Sequence, residues 1–398
     1  MKKTICFLNS NNNCGIFTFG SVACIYDSSE LALAKLQVFL DQNKGNYIFG
    51  CLNYNLKNEI EQIQCKNDDL LRFPLVHFWI PEFVIKIENG SRHYLKGNKT
   101  SESEELLNDF FIQDKKETFL SEIISFSART NKENYLKNVV KIKSLLQQGE
   151  IYEMNYCQEY FAENVKIDQP IAVYNKLNSL TKAPFSSYFH FDNYSLFCGS
   201  PERYIKLNNK RLISEPIKGT APRSKDPIQD LRNKENLETD PKERAENIMI
   251  VDLVRNDFSK IAANHSVKVD ALCAVHSFEN VHQMISTVSC QPMEGTTFTD
   301  IIKASFPMGS MTGAPKLKAM ELIEESEDFK RGLYSGSLGY INPNGDFDFN
   351  VIIRSIFYDK NAKTLSFQVG SAITLDADPV KEYEECLLKA ESILKALA

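Results

Sequence analysis

The sequence lacks the features that are typical of zinc-binding, membrane-spanning and secreted proteins. Its ten cysteines are scattered, with no C-x-x-C pair and no Cys/His spacing typical of a zinc site. No apolar run approaches the roughly 18 residues that a membrane-spanning helix needs. The opening MKKTICFLNSNNNCGIF also lacks an apolar stretch long enough for a signal peptide. We therefore expect a cytoplasmic protein without a membrane-spanning segment.

The sequence also has no concentration of positive charge. Its formal net charge is -6, and no Lys/Arg-rich stretch is interleaved with aromatic residues, which argues against nucleic-acid binding. In contrast, 43% of its 398 residues are hydrophobic and 26 are Phe, enough to bury a large core. An anionic substrate would need local cations or a bridging metal ion.

Two helices are predicted with particular clarity because each begins with Asp-Pro, at Asp240 and Asp378. An Asp in this position caps free backbone N–H groups, and a Pro fits the first helical position. Each helix then carries two glutamates three residues apart on one face: Glu243 and Glu246 in the first, Glu382 and Glu385 in the second. If the helices meet, four carboxylates would suit Mg²⁺. If they do not, each pair is a solvated helix face.

Other residues suited to chemistry lie in three short segments. In EPIKGTAPR (215–223), Lys218 stands between Ile217 and Gly219, and an amine desolvated by apolar neighbours can lose its proton near neutral pH. In CGSPERY (198–204), Glu202 follows a turn and is a candidate general acid. The glycine-rich FPMGSMTGAPK (306–316) departs from the phosphate-loop pattern, so we do not expect a nucleotide site.

Two further segments predict specific elements of secondary structure. NYLKNVVKIKSLLQQGEIYEMNYCQEY predicts a helix that ends at Gly149 and runs into a strand. The pattern of residues 194–222 predicts strands with turns at 199–201 and 208–209, arranged as a hairpin.

Taken together and in order, the segments from about residue 130 to 395 resemble the chorismate-binding enzymes, the family of the anthranilate, aminodeoxychorismate, isochorismate and salicylate synthases. The resemblance rests on IYEMNYCQ, CGSPERY, EPIKGTAPR, ERAENIMIVDLVRND, FPMGSMTGAPKLKAMELIEE, GLYSGSLGY, IIRS and DADPVKEYEE. It implies an α+β fold, a two-lobed β-sandwich flanked by helices. Residues 1–120 would complete the sandwich, and residues 121–398 would form the chorismate-binding catalytic region.

The resemblance also implies which residues bind magnesium and substrate. Glu246 and Glu385 match direct Mg²⁺ ligands, and Glu243 and Glu382 match positions that act mainly through metal-bound water. Lys389 matches a residue that reaches the ring carboxylate of chorismate. The remaining positions match substrate contacts: Arg354 and Tyr334 at the pyruvyl carboxylate, together with Ser310 and the amide of Gly370.

Within the family, Lys218 indicates the reaction. Aminodeoxychorismate synthases are similar in carrying Lys in Pro-Ile-x-Gly-Thr, whereas anthranilate synthases usually carry Ala. The implied mechanism is attack of Lys218 on C2 of chorismate while Glu202 protonates the departing C4 hydroxyl, after which ammonia adds at C4 and expels the lysine. A separate glutamine amidotransferase subunit would supply the ammonia. Anthranilate synthase component I and a non-catalytic chorismate-binding scaffold remain the alternatives.

Two glutamines complete the implied substrate site. Gln158 stands where, by the resemblance, the water-using members carry a Lys base; an amide cannot activate water, which disfavours isochorismate or salicylate synthesis. Gln283 stands where the family usually has His, while His282 precedes it. Whether His282 or Gln283 faces the substrate is open at the level of sequence.

Overall fold

The computed structural model describes residues 4–112 and 124–398. The predicted boundary between residues 120 and 121 lies outside the described residues, so that division stays a prediction.

The described strands are β1 Thr4–Asn9, β2 Cys14–Phe19, β3 Ala23–Asp27, β4 Ile48–Leu52, β5 Val76–Ile80, β6 Phe83–Glu88, β7 Ser91–Lys96, β8 Ser127–Ala128, β9 Glu153–Ala162, β10 Phe185–Phe191, β11 Tyr194–Ser200, β12 Arg203–Asn208, β13 Arg211–Glu215, β14 Ile217–Pro222, β15 Lys268–Ser277, β16 Val281–Cys290, β17 Gly313–Ala314, β18 Ser337–Ile341, β19 Phe347–Asn350, β20 Ser355–Asp359 and β21 Thr364–Ile373.

Helices connect and cover these strands. They are α1 Ala32–Gln42, α2 Lys57–Glu61, α3 Ser101–Ile112, α4 Lys132–Gln147, α5 Pro170–Thr181, α6 Pro227–Thr239, α7 Pro241–Ser259, α8 Phe298–Ser305, α9 Lys316–Ser326 and α10 Pro379–Ala396, with short 3₁₀ turns at Tyr54–Leu56 and Gly309–Met311. Among the described residues, each helix is too short or too polar to span a membrane.

The strands form two antiparallel sheets. The first has the order β17-β9-β21-β20-β11-β10-β1-β2-β6-β7, with β8 beside β9. The second has the order β14-β16-β13-β12-β19-β18-β4-β5-β3, with β15 beside β16. Early strands join both sheets, since β1 pairs with β10 and β4 pairs with β18. The architecture is α+β, as predicted.

Both faces of the first sheet are buried. Because side chains alternate along a strand, Cys6 enters one hydrophobic core and Phe7 enters the other. The first core lies between the sheets, where the rings of Trp79 and Phe189 are 5.3 Å apart. The second core lies against helices such as α4, whose inner residues include Tyr135 and Val139. The predicted sandwich flanked by helices is confirmed.

The predicted local elements are confirmed as well. Asp240 accepts hydrogen bonds from the amides of Lys242 and Glu243, and Asp378 caps α10 in the same way. The helix before Gly149 is α4, and the strand after it is β9. The hairpin is formed by β12 and β13 alone, because the turn after β11 carries the chain from the first sheet into the second.

Candidate active site

Lys218 lies on β14, at one end of the second sheet, and points toward the first. Its Nζ is 2.5 Å from Oε1 of Glu153 on β9, and the side chains are 10% and 1% exposed. Burial alone would lower the pKa of Lys218, but the carboxylates of Glu153 and Glu246 outweigh it and raise the pKa above its usual value. The sequence showed the apolar neighbours, which favour loss of the Lys218 proton, but not these carboxylates, which favour its retention.

Glu202 follows the turn where the chain passes between the sheets, and it is 4% exposed. Its Oε1 accepts a hydrogen bond of 2.6 Å from Ser310 Oγ. Burial raises the pKa of Glu202 to about 7, while Ser310 and the Lys218 ammonium oppose that rise. A carboxyl group in this environment is half protonated near neutral pH, which suits a general acid.

The segment around Ser310 is held from two sides. Asn155 Nδ2 donates a hydrogen bond of 2.9 Å to the Ser310 carbonyl. Lys316 pairs with Asp257 and also donates to the carbonyls of Ser305, at 3.0 Å, and Pro307, at 2.8 Å. The lysine of the glycine-rich segment thus fixes the loop that carries Ser310.

The glutamates of α7 and α10 face each other, which the sequence left open. Nζ of Lys242 is 3.8 Å from Glu246 and 3.9 Å from Glu382, so one ammonium lies between the two helices. Gly219, beside Lys218, brings β14 against the same group, since a Cβ there would lie 3.0 Å from Oε2 of Glu243. Glu243, Glu246 and Glu385 therefore border the site of Lys218, and Glu382 joins them through Lys242.

These carboxylates fit a hard divalent cation in their chemistry. Oε1 of Glu246 is buried and accepts no hydrogen bond. Burial raises the pKa of Glu246 to about 7, a balance in which the Lys218 and Lys242 ammonium groups oppose the rise and the Glu153 and Glu243 carboxylates favour it. In the described residues, no three His, Cys, Asp or Glu side chains are already grouped as a metal site. The donors fit Mg²⁺, which prefers oxygen ligands and retains waters.

Arg354 and Tyr334 lie together beside the glutamates. Burial lowers the pKa of Arg354, and electrostatic interactions with Tyr334 and Glu385 oppose that shift. In the described residues, the Arg354 guanidinium donates no hydrogen bond to a side chain or a carbonyl group. Arg354 has a φ of 53°, and Ser335, next to Tyr334, has a φ of 61°. Such left-handed backbone is costly for residues other than Gly and clusters at functional sites.

Lys389 and Gly370 are in direct contact. Lys389 Nζ donates to the Gly370 carbonyl at 2.8 Å and lies 2.6 Å from Glu385. A Cβ at Gly370 would lie 2.4 Å from Sγ of Cys157 and 2.8 Å from the carbonyl oxygen of Tyr156, so only glycine fits there. β9, β21 and α10 therefore meet at Gly370 and Lys389, two of the predicted substrate residues.

Gln158 is not brought to Lys218. β9 pairs with β21 in continuous register, so its side chains alternate, and Glu153 and Cys157 share the face toward the first core. Gln158 lies on the opposite face with Met154 and Tyr156, which belong to the second core. Its expected place in the substrate site is not supported, and neither is the argument against water-using chemistry that rested on it.

Gln283 and His282 are clearly different in their surroundings. His282 Nε2 is 3.1 Å from Asp230, and Nδ1 is 2.9 Å from Ser277 Oγ, so both ring nitrogens are engaged. Gln283 projects to the other face of β16, and its Oε1 is buried without a hydrogen-bond partner. Of the two residues, Gln283 is the one with an unused polar atom.

Glu153 is the residue that the sequence analysis missed. It stands in IYEMNYCQ, and the period-2 alternation of a strand places residues 153, 155 and 157 on one face. That signal was present, but the sequence did not show which face of the strand meets Lys218.

Comparisons with known proteins identify the family and the fold. The family model described as chorismate binding enzyme matches residues 9–395. Aminodeoxychorismate synthase component 1 of Klebsiella aerogenes is 37% identical over 273 residues, covering 69% of this chain and 60% of that protein. Anthranilate synthase component 1 of Aquifex aeolicus is 36% identical over 266 residues, covering 67% of this chain and 53% of that protein. Since the two identities are nearly equal, they do not decide between the two reactions.

Among solved structures, the crystal structure of anthranilate synthase component I from Streptococcus pneumoniae TIGR4 has the same fold. Its TM-score is 0.82 at 24% sequence identity, covering 96% of this chain and 92% of that one.

Proposed function

The chain belongs to the chorismate-binding enzyme family, and from this premise we propose that it is the ammonia-adding component of an aminodeoxychorismate synthase. Its reaction would convert chorismate and ammonia into 4-amino-4-deoxychorismate, the precursor of 4-aminobenzoate in folate biosynthesis. The observation that carries the proposal is the buried amine of Lys218 beside Glu202, a carboxyl group whose pKa is raised to about 7 by burial.

Lys218 and Glu202 divide the chemistry between them. The Lys218 Nζ lone pair forms a bond to C2 of chorismate, the C4–O bond breaks, and the Glu202 proton leaves with the hydroxyl as water. Ammonia then bonds to C4, and the C2–Nζ bond breaks to free the lysine. Because Ser310 and the Ile217 amide both donate hydrogen bonds to Glu202, the carboxyl group is fixed next to the segment that carries Lys218.

The substrate carboxylates would be held by cationic and polar side chains. The Arg354 guanidinium has five donors in a planar fork, which matches a carboxylate, and Tyr334 adds a hydroxyl beside it. Lys389, which donates to the Gly370 carbonyl, would reach the ring carboxylate, and the amide of Gly370 would be a further substrate contact. Gln283 would direct its unused carbonyl oxygen at a substrate hydroxyl.

Glu246 and Glu385 would hold Mg²⁺ directly, and Glu243 and Glu382 would hold it through water. When bound, the ion would neutralise the ring carboxylate of chorismate. Without the ion, the four carboxylates would repel the anionic substrate from this end of the site.

The ammonia would come from a separate glutamine amidotransferase subunit. The component 1 designation of the Klebsiella aerogenes relative supports a two-subunit arrangement. We also propose a cytoplasmic location, as the composition suggested.

Anthranilate synthase component I is the second candidate, because a relative of that name is nearly as similar. The test is product analysis after incubation of the purified chain with chorismate, Mg²⁺ and an ammonium salt. We expect 4-amino-4-deoxychorismate, identified by chromatography and mass. Direct formation of fluorescent anthranilate, or of isochorismate when ammonium is omitted, would refute the proposal.

A further inference from the structure

Glu153 and Lys218 form a buried ion pair that joins the two sheets. Glu153 is the first residue of β9 in the first sheet, and Lys218 lies on β14 at one end of the second. Their 2.5 Å contact lies beside Glu202 and the α7 glutamates. Removing one partner of such a pair leaves an uncompensated buried charge, so each of the two residues depends on the other in the folded protein.

One oxygen of the Glu153 carboxylate has no hydrogen-bond partner in the described residues. Its Oε1 contacts Lys218, while Oε2 is buried and accepts no hydrogen bond. The backbone of Glu153 is fixed by pairing with β17, where a Cβ at Gly313 would lie 2.2 Å from the Glu153 carbonyl oxygen. The carboxylate is thus held against Nζ in a defined position.

We propose that Glu153 is the proton acceptor for Lys218: it takes a proton from Nζ before each attack on substrate and returns it after the lysine is expelled. This inference rests on the proposed function. Other charged groups also face Lys218, namely Glu202 after β11, Glu243 and Glu246 on α7, and Glu385 on α10. Glu153 is the carboxylate in ion-pair contact, whereas these others act from further away.

The protons balance over a full cycle. Transfer within the pair gives a neutral amine and a neutral Glu153, and attack at C2 then releases the C4 hydroxyl as water with the Glu202 proton. After ammonia bonds to C4 and the C2–Nζ electron pair returns to nitrogen, Glu153 gives its proton back to Lys218. The new ammonium on the product returns one proton to Glu202. The net change is chorismate and ammonia to amine and water.

Transfer of the proton within the pair makes the amount of neutral Lys218 amine respond differently to bulk pH in the wild-type protein and in a Glu153 variant. In the wild-type protein the amine forms without exchange with solvent, so its amount does not depend on bulk pH. In Glu153→Gln the amide has the same size and still accepts a hydrogen bond, but it cannot take a proton. The amine then forms only by loss of a proton to solvent, so its amount rises with pH.

The experiment compares kcat/KM of Glu153→Gln with that of the wild-type protein between about pH 6 and pH 8, at saturating Mg²⁺. We expect the ratio of kcat/KM in the variant to kcat/KM in the wild-type protein to rise by about tenfold per pH unit, because only the variant must lose one proton to solvent. Titration of Glu202 and of the metal site affects both proteins and cancels in the ratio. Glu153→Asp, which retains a carboxylate, should give a ratio that is flat with pH. A flat ratio for Glu153→Gln, or a rising one for Glu153→Asp, would overturn the proposal.

A second readout does not require turnover. In metal-free protein, the rate at which Lys218 is carbamylated by cyanate should be higher in Glu153→Gln than in wild type at the same pH, as quantified by peptide mass spectrometry. Equal rates would overturn the proposal if the Gln variant has no measurable activity. If Glu153→Gln does not fold, the Glu153→Asp ratio decides by itself. A wild-type protein that forms no 4-amino-4-deoxychorismate refutes the proposed function instead, so the two failures are distinguishable.

Discussion

Ser310 donates a hydrogen bond of 2.6 Å to Glu202, and both side chains are buried. Burial favours the protonated carboxyl group, whereas the hydrogen bond favours the ionised one, and the pKa of Glu202, raised to about 7, reflects their balance. The protonation state of the proposed acid near neutral pH thus depends on a neighbouring hydroxyl.

We expect kcat/KM of the wild-type protein to fall above about pH 7, because a general acid acts in its protonated form. The sign follows from the raised pKa: Glu202 stays protonated above the usual range of a glutamate and loses its proton as the pH rises through about 7. The measurement is a pH profile at saturating Mg²⁺. Glu202→Gln should lower activity by about 10²- to 10⁴-fold and lack this decline; a decline that persists in the variant would assign it to another group.

Ser310→Ala should move the alkaline decline to higher pH. The substitution removes a hydrogen bond that stabilises the ionised carboxylate, so the pKa of Glu202 rises. The matched control is Ser214→Ala, which removes another buried hydroxyl, one that donates to the Tyr204 carbonyl at 2.8 Å. The control should leave the profile in place, and an unmoved profile in Ser310→Ala would contradict the assignment.

Lys218→Gln should abolish formation of 4-amino-4-deoxychorismate, to below about a thousandth of wild type, and leave chorismate binding nearly intact. Glutamine retains a hydrogen-bond donor for Glu153, which alanine would not supply. Mass spectrometry of wild-type protein with chorismate and Mg²⁺, without ammonia, should show an adduct on Lys218. Lys182→Gln, from an exposed ion pair with Glu279, is the control. Retained activity in Lys218→Gln would show that the amine forms no covalent bond.

Lys242→Met should tighten Mg²⁺ binding several-fold. The ammonium lies 3.8 Å from Glu246 and 3.9 Å from Glu382, so it competes with a cation for the same carboxylates. Titration calorimetry with Mg²⁺ alone measures the effect. Lys137→Met, on the exposed face of α4 and paired with Glu133, changes the net charge equally and should bind as wild type does. Equal affinity in the two variants would place the metal elsewhere.

Gln283→Ala should lower kcat/KM by roughly tenfold, the cost of one lost hydrogen bond to a substrate hydroxyl. His282→Ala should instead lower the melting temperature with little change in activity, because its hydrogen bonds to Asp230 and Ser277 lie on the other face of β16. Paired kinetic and thermal measurements separate the two effects. The opposite pattern would mean that His282 faces the substrate.

The fold was largely predictable because its signals are local. Asp-Pro at Asp240 and Asp378 fixes the starts of α7 and α10, since an aspartate satisfies free N–H groups and proline adopts the helical φ without strain. The turn at Gly149 likewise ends α4. The site was only partly predictable, because it forms where segments distant in sequence meet.

The reactive groups of this protein can be read from its amino-acid sequence alone: an amine at Lys218, a carboxyl group at Glu202, and four glutamates paired on two helices. The tertiary structure decided how these groups behave. It placed Glu153 against Lys218, so that the pKa of the amine is raised rather than lowered. It also placed Gln158 on the far face of β9. The physical reason is that electrostatic effects depend on distance and burial, and both are set by how strands and helices pack.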